Sequence, residues 1–193
     1  AAYYDDIRAV IGVSVVNLIF RNMATVPGCL EWAWTTVRPL YVSGAIPSAA
    51  ARLIDTVLPG KTADLSGPIE AEGLTAENIS QIAQVLDSYS QANPMNAISL
   101  NVLNLILNQV GQRPDPVSSI THAAQELLKP EGLEPLLPMV DLSTASDRTR
   151  TALNRLAIQI HGQNTGVIPS LYRHFGAWPI FLERLESALE HTL

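Results

Sequence analysis

"IPSLYRHFGAWPIFL", residues 168–182, repeats an arrangement already present in "VNLIFRNMATVPGCL", residues 16–30. In each stretch an aliphatic–aromatic–Arg run is followed by proline, seven positions after the aromatic. Setting Pro27 over Pro179 places Ile19-Phe20-Arg21 over Leu171-Tyr172-Arg173. The same register puts Asn22 over His174, Ala24 over Gly176 and Leu30-Glu31 over Leu182-Glu183. An ungapped match of this kind is accounted for by two copies of one helix–Pro–helix unit. Proline in the first turn of the second helix lacks only a donor that would have no intrahelical partner. Arg21 and Arg173 can reach the free carbonyls of the preceding helix, and Glu31 and Glu183 fall near the next helix's N-terminus. Each of these is a structural role.

Most segments carry helical spacing and few alternate with period two, so the expected class is all-α. Residues 3–24 hold Ile7, Val10, Ile11, Val15, Leu18 and Ile19, a wide apolar stripe ended at Pro27. A second helix covers Leu30, Trp32, Trp34 and Val37, with a kink or fresh start at Pro39 and a stop at Gly44. A short helix lies between Pro47 and Gly60, followed by a loop over 61–73. Thr75 caps the next helix, which runs to about Tyr89 and is interrupted at Asn93-Pro94. Residues 98–107 are apolar nearly all round and read as a helix buried on several sides. Pro-rich connectors at 111–117 and 129–142 flank a short helix near 118–128. Ser143 or Thr144 caps a helix that Gly162 stops, and a last helix pair is split at Pro179. This gives a first helical repeat over 1–110, a connector over 111–142 and a partial second repeat over 143–193, packed as one domain.

The chain has 193 residues, 47% hydrophobic and only 16% charged, so a large buried fraction or an oligomer contact is expected. The net charge of −6 with scattered Lys and Arg argues against nucleic-acid binding. The single cysteine, Cys29, excludes an internal disulfide framework and reads as a buried thiol. "AVIGVSVVNLIF" has 12 residues, too short to span a bilayer and without a basic leader, so it reads as a buried core helix. No membrane association is expected, and the expected compartment is the cytoplasm. No His/Asp/Glu spacing suggests a metal site.

Four blocks, "DDIRAVIGVSVVNLIFRNMATVPGCLEWAW", "YSQANPMNAISLNVLNLIL", "LEPLLPMVDLSTAS" and "IPSLYRHFGAWPIFLERLESAL", together resemble the group I 2-haloacid dehalogenase family, the DehI type. The resemblance implies an all-α, internally duplicated fold with a site between two pseudo-symmetric halves. It implies hydrolysis of small 2-haloacids of either hand, without a cofactor, by water that an aspartate activates. Asn93 matches the family's asparagine that helps hold water and substrate, and Ser170 matches a serine that precedes the catalytic aspartate. Leu171 stands where that aspartate would be. Val15 and Leu18 stand where the family has aromatic pocket walls. "LIFRNMATVPGCLEWAW" also looks like the helix pair of the AhpD-like and carboxymuconolactone-decarboxylase-like proteins, but a lone Cys29 cannot support their CxxC peroxidase chemistry.

No Asp or Glu occurs between Asp147 and Glu183, so no small shift of register restores the base. The nearest titratable group is His174, three residues after Leu171 and on the same helical face. Its repeat mate Asn22 favours a hydrogen-bonding slot over a general base, and His161, before Gly162, suits a helix C-terminus. Three functions remain in view. One is a hydrolase of 2-substituted carboxylic acids using Asn93, Ser170 and His174. Another is a non-catalytic relative binding a small carboxylic-acid-like or more apolar ligand against Val15, Leu18 and Leu171. The last is a dimerisation module. The second repeat stops before the counterparts of residues 45–110, which leaves faces such as Leu182, Leu185 and Leu189 uncovered. Exposing them costs roughly 25 cal/mol per Å², so a homodimer is expected.

Overall fold

The computed structural model of the chain describes residues 2–57, 73–109, 126–164 and 166–190. Among these the chain forms helices α1 (Ala2–Ile11), α2 (Leu18–Met23), α3 (Cys29–Val42), α4 (Ala45–Val57), α5 (Ala76–Gln109), α6 (Asp147–His161), α7 (Ser170–Phe175) and α8 (Pro179–Glu190), and no strand. The fold is all-α, as the helical spacing implied. No helix among the described residues is long and apolar enough to cross a membrane. The chain divides into two compact units. One comprises Ala1–Pro59 with Ser90–Pro135, and the other Gly60–Tyr89 with Leu136–Leu193. The expected stop at Gly60, most of the 61–73 loop and the 118–125 part of the expected short helix lie outside the described residues. Residues 126–128 of that expected helix are irregular.

In the first unit α1, α2 and α4 all pack against α3. Ala33, Trp34, Val37 and Tyr41 recur at helical spacing and join Ile7, Ile11, Phe20, Ile46 and Ala50 in one core. Phe20 meets Trp34 edge to face at 5.6 Å. Burying a Phe-sized side chain contributes about 1.5–3 kcal/mol. The stripe over 3–24 is not one helix. Gly12, at φ 78°, closes α1 in the left-handed conformation that glycine adopts freely. Gln91 Nε2 donates to the freed Ile11 carbonyl at 2.8 Å. "AVIGVSVVNLIF" is therefore split between α1, an irregular segment and α2. Cys29 is half-buried rather than buried, because it opens α3 beyond the core. Pro39 neither ends nor restarts α3, which continues through it to Val42.

A charge is also buried here. Asp6 is completely inaccessible, and its carboxylate accepts from Arg38 Nε at 2.7 Å, Arg38 Nη2 at 2.9 Å, Trp34 Nε1 at 2.6 Å and the Leu128 amide at 2.7 Å. Arg38 Nη2 also donates to the Glu126 carbonyl at 3.2 Å. One carboxylate thus ties α1, α3 and residues 126–128 together.

The 34-residue α5 runs unbroken through Asn93-Pro94. An interior proline costs roughly 3 kcal/mol relative to alanine. Buried neighbours on both sides of it, Ala92, Met95 and Asn96, hold the helix together against that cost. Residues 98–107 are not buried on several sides. The buried positions are Ile82, Val85, Tyr89, Ala92, Met95, Asn96, Ser99 and Leu103, all but Met95 in a stripe at alternating three- and four-residue steps, while Leu100, Leu105 and Leu107 are exposed. The stripe includes polar residues, which apolar counting skips. At the other end the Thr75 cap is present. Asn78 N–H donates to Thr75 Oγ1 and Thr75 N–H to Asn78 Oδ1, both at 3.2 Å.

In the second unit α6 packs along α8, and α7 touches both. Ser146, not Ser143 or Thr144, caps α6 by accepting from the Thr149 amide at 3.1 Å. Ser143 instead donates to Asp141 Oδ1 in a turn of its own. Gly162 stops α6 at φ 67° as expected. Leu182 is fully buried within the unit and Leu185 and Leu189 are half-buried, so the uncovered face expected on α8 is largely covered by packing with α6.

α2 and α7 have six residues each and enter with matching backbone angles, φ −58° and ψ 150° at Asn17 and φ −57° and ψ 143° at Pro169. Beyond them the details diverge. Pro179 begins α8, whereas Pro27 lies in a turn ahead of Gly28 and α3. Arg173 donates to the Val140 carbonyl at 3.0 Å rather than to a carbonyl of the preceding helix, while Arg21 is exposed. Glu183 lies past the first turn of α8 and forms a two-bond ion pair with Arg148, both bonds at 2.7 Å.

Candidate functional site

Asn93 sits on α5, one residue before Pro94, with its side chain exposed. Asn17 Nδ2 donates to Asn93 Oδ1 at 2.9 Å. Asn17 itself is 7% exposed and occupies the N-cap position of α2, yet its side chain caps nothing. Its Oδ1 is buried without a hydrogen-bond partner. An asparagine cap in use stabilises a helix by about 1 kcal/mol. An unsatisfied buried acceptor costs about 1–3 kcal/mol. Asn17 is therefore placed at a cost to stability, and the amide contact with Asn93 is what it makes instead.

Val15 is half-buried and Leu18 is 41% exposed, on either side of Asn17 in the chain. Val15, in the irregular segment after Gly12, and Leu18, the first residue of α2, are chain neighbours of the Asn17 that bonds Asn93. One turn further along α5, Asn96 Oδ1 accepts from the Tyr41 hydroxyl at 3.2 Å, and Ser99 Oγ lies 2.7 Å from the same hydroxyl. Burial raises the Tyr41 pKa to about 12, against the lowering effect of Ser99, so Tyr41 stays a neutral phenol. Asn96 Nδ2 is buried and unpartnered.

Ser170, Leu171 and His174 share α7 in the second unit. Ser170 and Leu171 are half-buried and His174 is 6% exposed. His174 Nδ1 lies 2.8 Å from the Leu137 carbonyl, which can only accept, so Nδ1 carries the proton and Nε2 is the acceptor nitrogen. The Tyr89 ring stands edge-on at 5.7 Å. Burial pushes the imidazole pKa below its usual 6.5, the Leu137 bond opposes this, and the charge of Arg173 adds to the lowering. The ring is neutral near pH 7. Position 171, three residues earlier on the same helix, offers only an isobutyl group. Among the described residues no group of His, Cys, Asp or Glu could hold a metal ion.

The sequence reading missed Asn17, Asn96 and Asp6. Asn17 had a signal, a lone amide inside the apolar run "VSVVNLIF". Asn96 and Asp6 had none, since an isolated polar residue on a helix ordinarily faces water.

An all-α chain of two helical units, with amide groups at one candidate site and a neutral histidine at another, is the class these features define. The comparison with known proteins falls within that class. The chain is 29% identical over 156 residues to a configuration-inverting 2-haloacid dehalogenase of Alcaligenes xylosoxydans xylosoxydans. The match covers 80% of this chain and 53% of that protein, so the chain spans about half the length of the relative. It supports a distant relationship at the level of the DehI-like haloacid dehalogenases. No family model matches the chain.

Proposed function

We propose that the protein binds a small 2-substituted carboxylic acid and does not hydrolyse it efficiently. The observation that carries this is Leu171, an aliphatic side chain on α7 in a stretch with no Asp or Glu from 148 to 182. Displacement by water gains about 10²–10⁴-fold from a positioned base, and an isobutyl group provides none. Asn93 supplies a polar contact. Val15 and Leu18 offer apolar surface that suits a halogen or alkyl substituent. A homodimer is part of the proposal, supported by Leu105 and Leu107, each 58% exposed on α5. Sedimentation showing only monomer in the micromolar range would remove that part.

The test is halide release from L- and D-2-chloropropionate, measured beside binding of the same acids by calorimetry. The wild type is expected to bind without releasing halide above the solvent rate, and Leu171→Asp is expected to gain release. Efficient wild-type turnover would overturn this reading. It would favour a second one, for which the geometry of His174 speaks: a neutral imidazole with Nε2 as acceptor is the state a general base requires. In that case activity falls as pH drops through the lowered His174 pKa, and His174→Asn abolishes it.

A further inference from the structure

Asn93 carries both a donor and an acceptor, and its usefulness to a ligand depends on which of the two is presented. The Asn17 bond decides this. Asn17 Nδ2 donates to Asn93 Oδ1 at 2.9 Å, so the carbonyl end of the Asn93 amide is engaged by the protein. The Nδ2–H₂ end of an exposed side chain is left for a ligand. Asn17 gives up the α2 cap to do so, and its own Oδ1 is buried and unpartnered. A residue that forgoes its local hydrogen bond and leaves an acceptor unsatisfied is held in place by something other than helix stability.

We infer that Asn17 is a positioning residue that fixes the Asn93 amide with its N–H outward, so that the site selects an acceptor, the carboxylate oxygen of the ligand. This rests on the binding reading given above and narrows it. Asn93 grips the acid group of the ligand and does not accept a proton from an attacking water. The apolar side chains Val15 and Leu18 flank Asn17 in the chain and are placed to meet the ligand's non-polar end.

The experiment uses the full chain labelled with ¹⁵N and titrated with 2-chloropropionate. The Asn93 Hδ2 resonances are expected to move downfield as the acid binds, and an Asn17 Hδ2–Asn93 side-chain NOE is expected before any ligand is added. In Asn17→Leu the NOE disappears and carboxylate affinity falls about tenfold, the equivalent of one hydrogen bond to a charged group. Asn17→Ser, which keeps a donor in a smaller side chain, is the second variant should Leu at a buried position fail to fold. Far-ultraviolet circular dichroism checks both. Unchanged affinity in a folded Asn17→Leu overturns the inference. So does acid binding that leaves the Asn93 amide unmoved, although the binding reading then survives. No acid binding by the wild type overturns the binding reading and the ligand assignment together, and the NOE alone then decides whether Asn17 holds Asn93.

Discussion

Replacing Asp6 by Asn should unfold the first unit more readily than any surface change. The carboxylate accepts four hydrogen bonds, two of them from a guanidinium that is itself 9% exposed. Asparagine keeps one oxygen but turns an N–H₂ group toward the Arg38 fork, donor against donor, and strips the pair of its negative charge. Breaking a buried ion pair by removing one partner costs about 3–5 kcal/mol, because the other charge stays buried and unpaired. For a chain of this size that corresponds to a fall in Tm of roughly 6–20 °C. Urea unfolding followed by tryptophan fluorescence reads it directly, since Trp34 donates to the same carboxylate. The Leu128 amide loses its carboxylate acceptor, and Arg38, which donates to the Glu126 carbonyl, loses the partner that fixes it, so limited proteolysis near 126–135 should quicken. Asp6→Asn with Arg38→Met should lose less than the two single changes together, because no charge is left stranded. A loss below about 1 kcal/mol in Asp6→Asn, in the range of an ordinary neutral hydrogen bond, would refute the view that this carboxylate holds the unit together.

The same carboxylate predicts acid sensitivity. Burial pushes Asp6 up, but Arg38, the Leu128 amide and Trp34 together outweigh it and hold the folded pKa below its ordinary 3.8. Its contribution is therefore complete above that value and is lost as pH falls through the folded pKa, which Tm against pH will show as an acid limb missing in Asp6→Asn. His174 is depressed below 6.5 by burial, so the unfolded chain takes up its proton first. Stability should decline as pH falls from 6.5 toward the folded value, with an NMR titration of His174 centred below 6.5 and a flatter profile in His174→Gln. A Cβ on Gly176 would stand 2.4 Å from Val140 Cγ1 and 2.9 Å from its Cβ, so Gly176→Ala should cost about 1–3 kcal/mol by overpacking, and Val140→Gly in the same chain should recover part of it in thermal melts. Ser146→Ala should cost about 1 kcal/mol as a lost cap, whereas Ser143→Ala leaves the α6 cap intact.

The candidate site was half legible. Asn93, Ser170, Leu171 and His174 stood out because chemistry-bearing residues, or one missing from its expected place, can be recognised in a linear string. Their states could not be read that way. His174 looked like a slot for hydrogen bonding, and the Leu137 carbonyl that fixes its tautomer comes from 37 residues earlier. Asn17 looked like part of an apolar stripe. Its partner is 76 residues away, and only the fold brings the two amides within 2.9 Å.

Residue identities along the chain were enough for the helical class, the stops at Gly44 and Gly162, the Thr75 cap and the want of an acid near position 171. Each of these depends on a residue and its near neighbours along the chain, through backbone angles, caps and spacing. Tertiary structure decided that α5 passes through Pro94, that Gly12 divides the first stripe, that Leu182 is covered and that Asp6 is buried. Those outcomes turn on packing and partnering between segments distant in the chain. Burial of Ala92, Met95 and Asn96 holds a helix together across a proline, and an arginine 32 positions away makes a buried carboxylate tolerable. Local propensity contributes only a few tenths to a few kcal/mol per residue, so where a core forms, the core prevails.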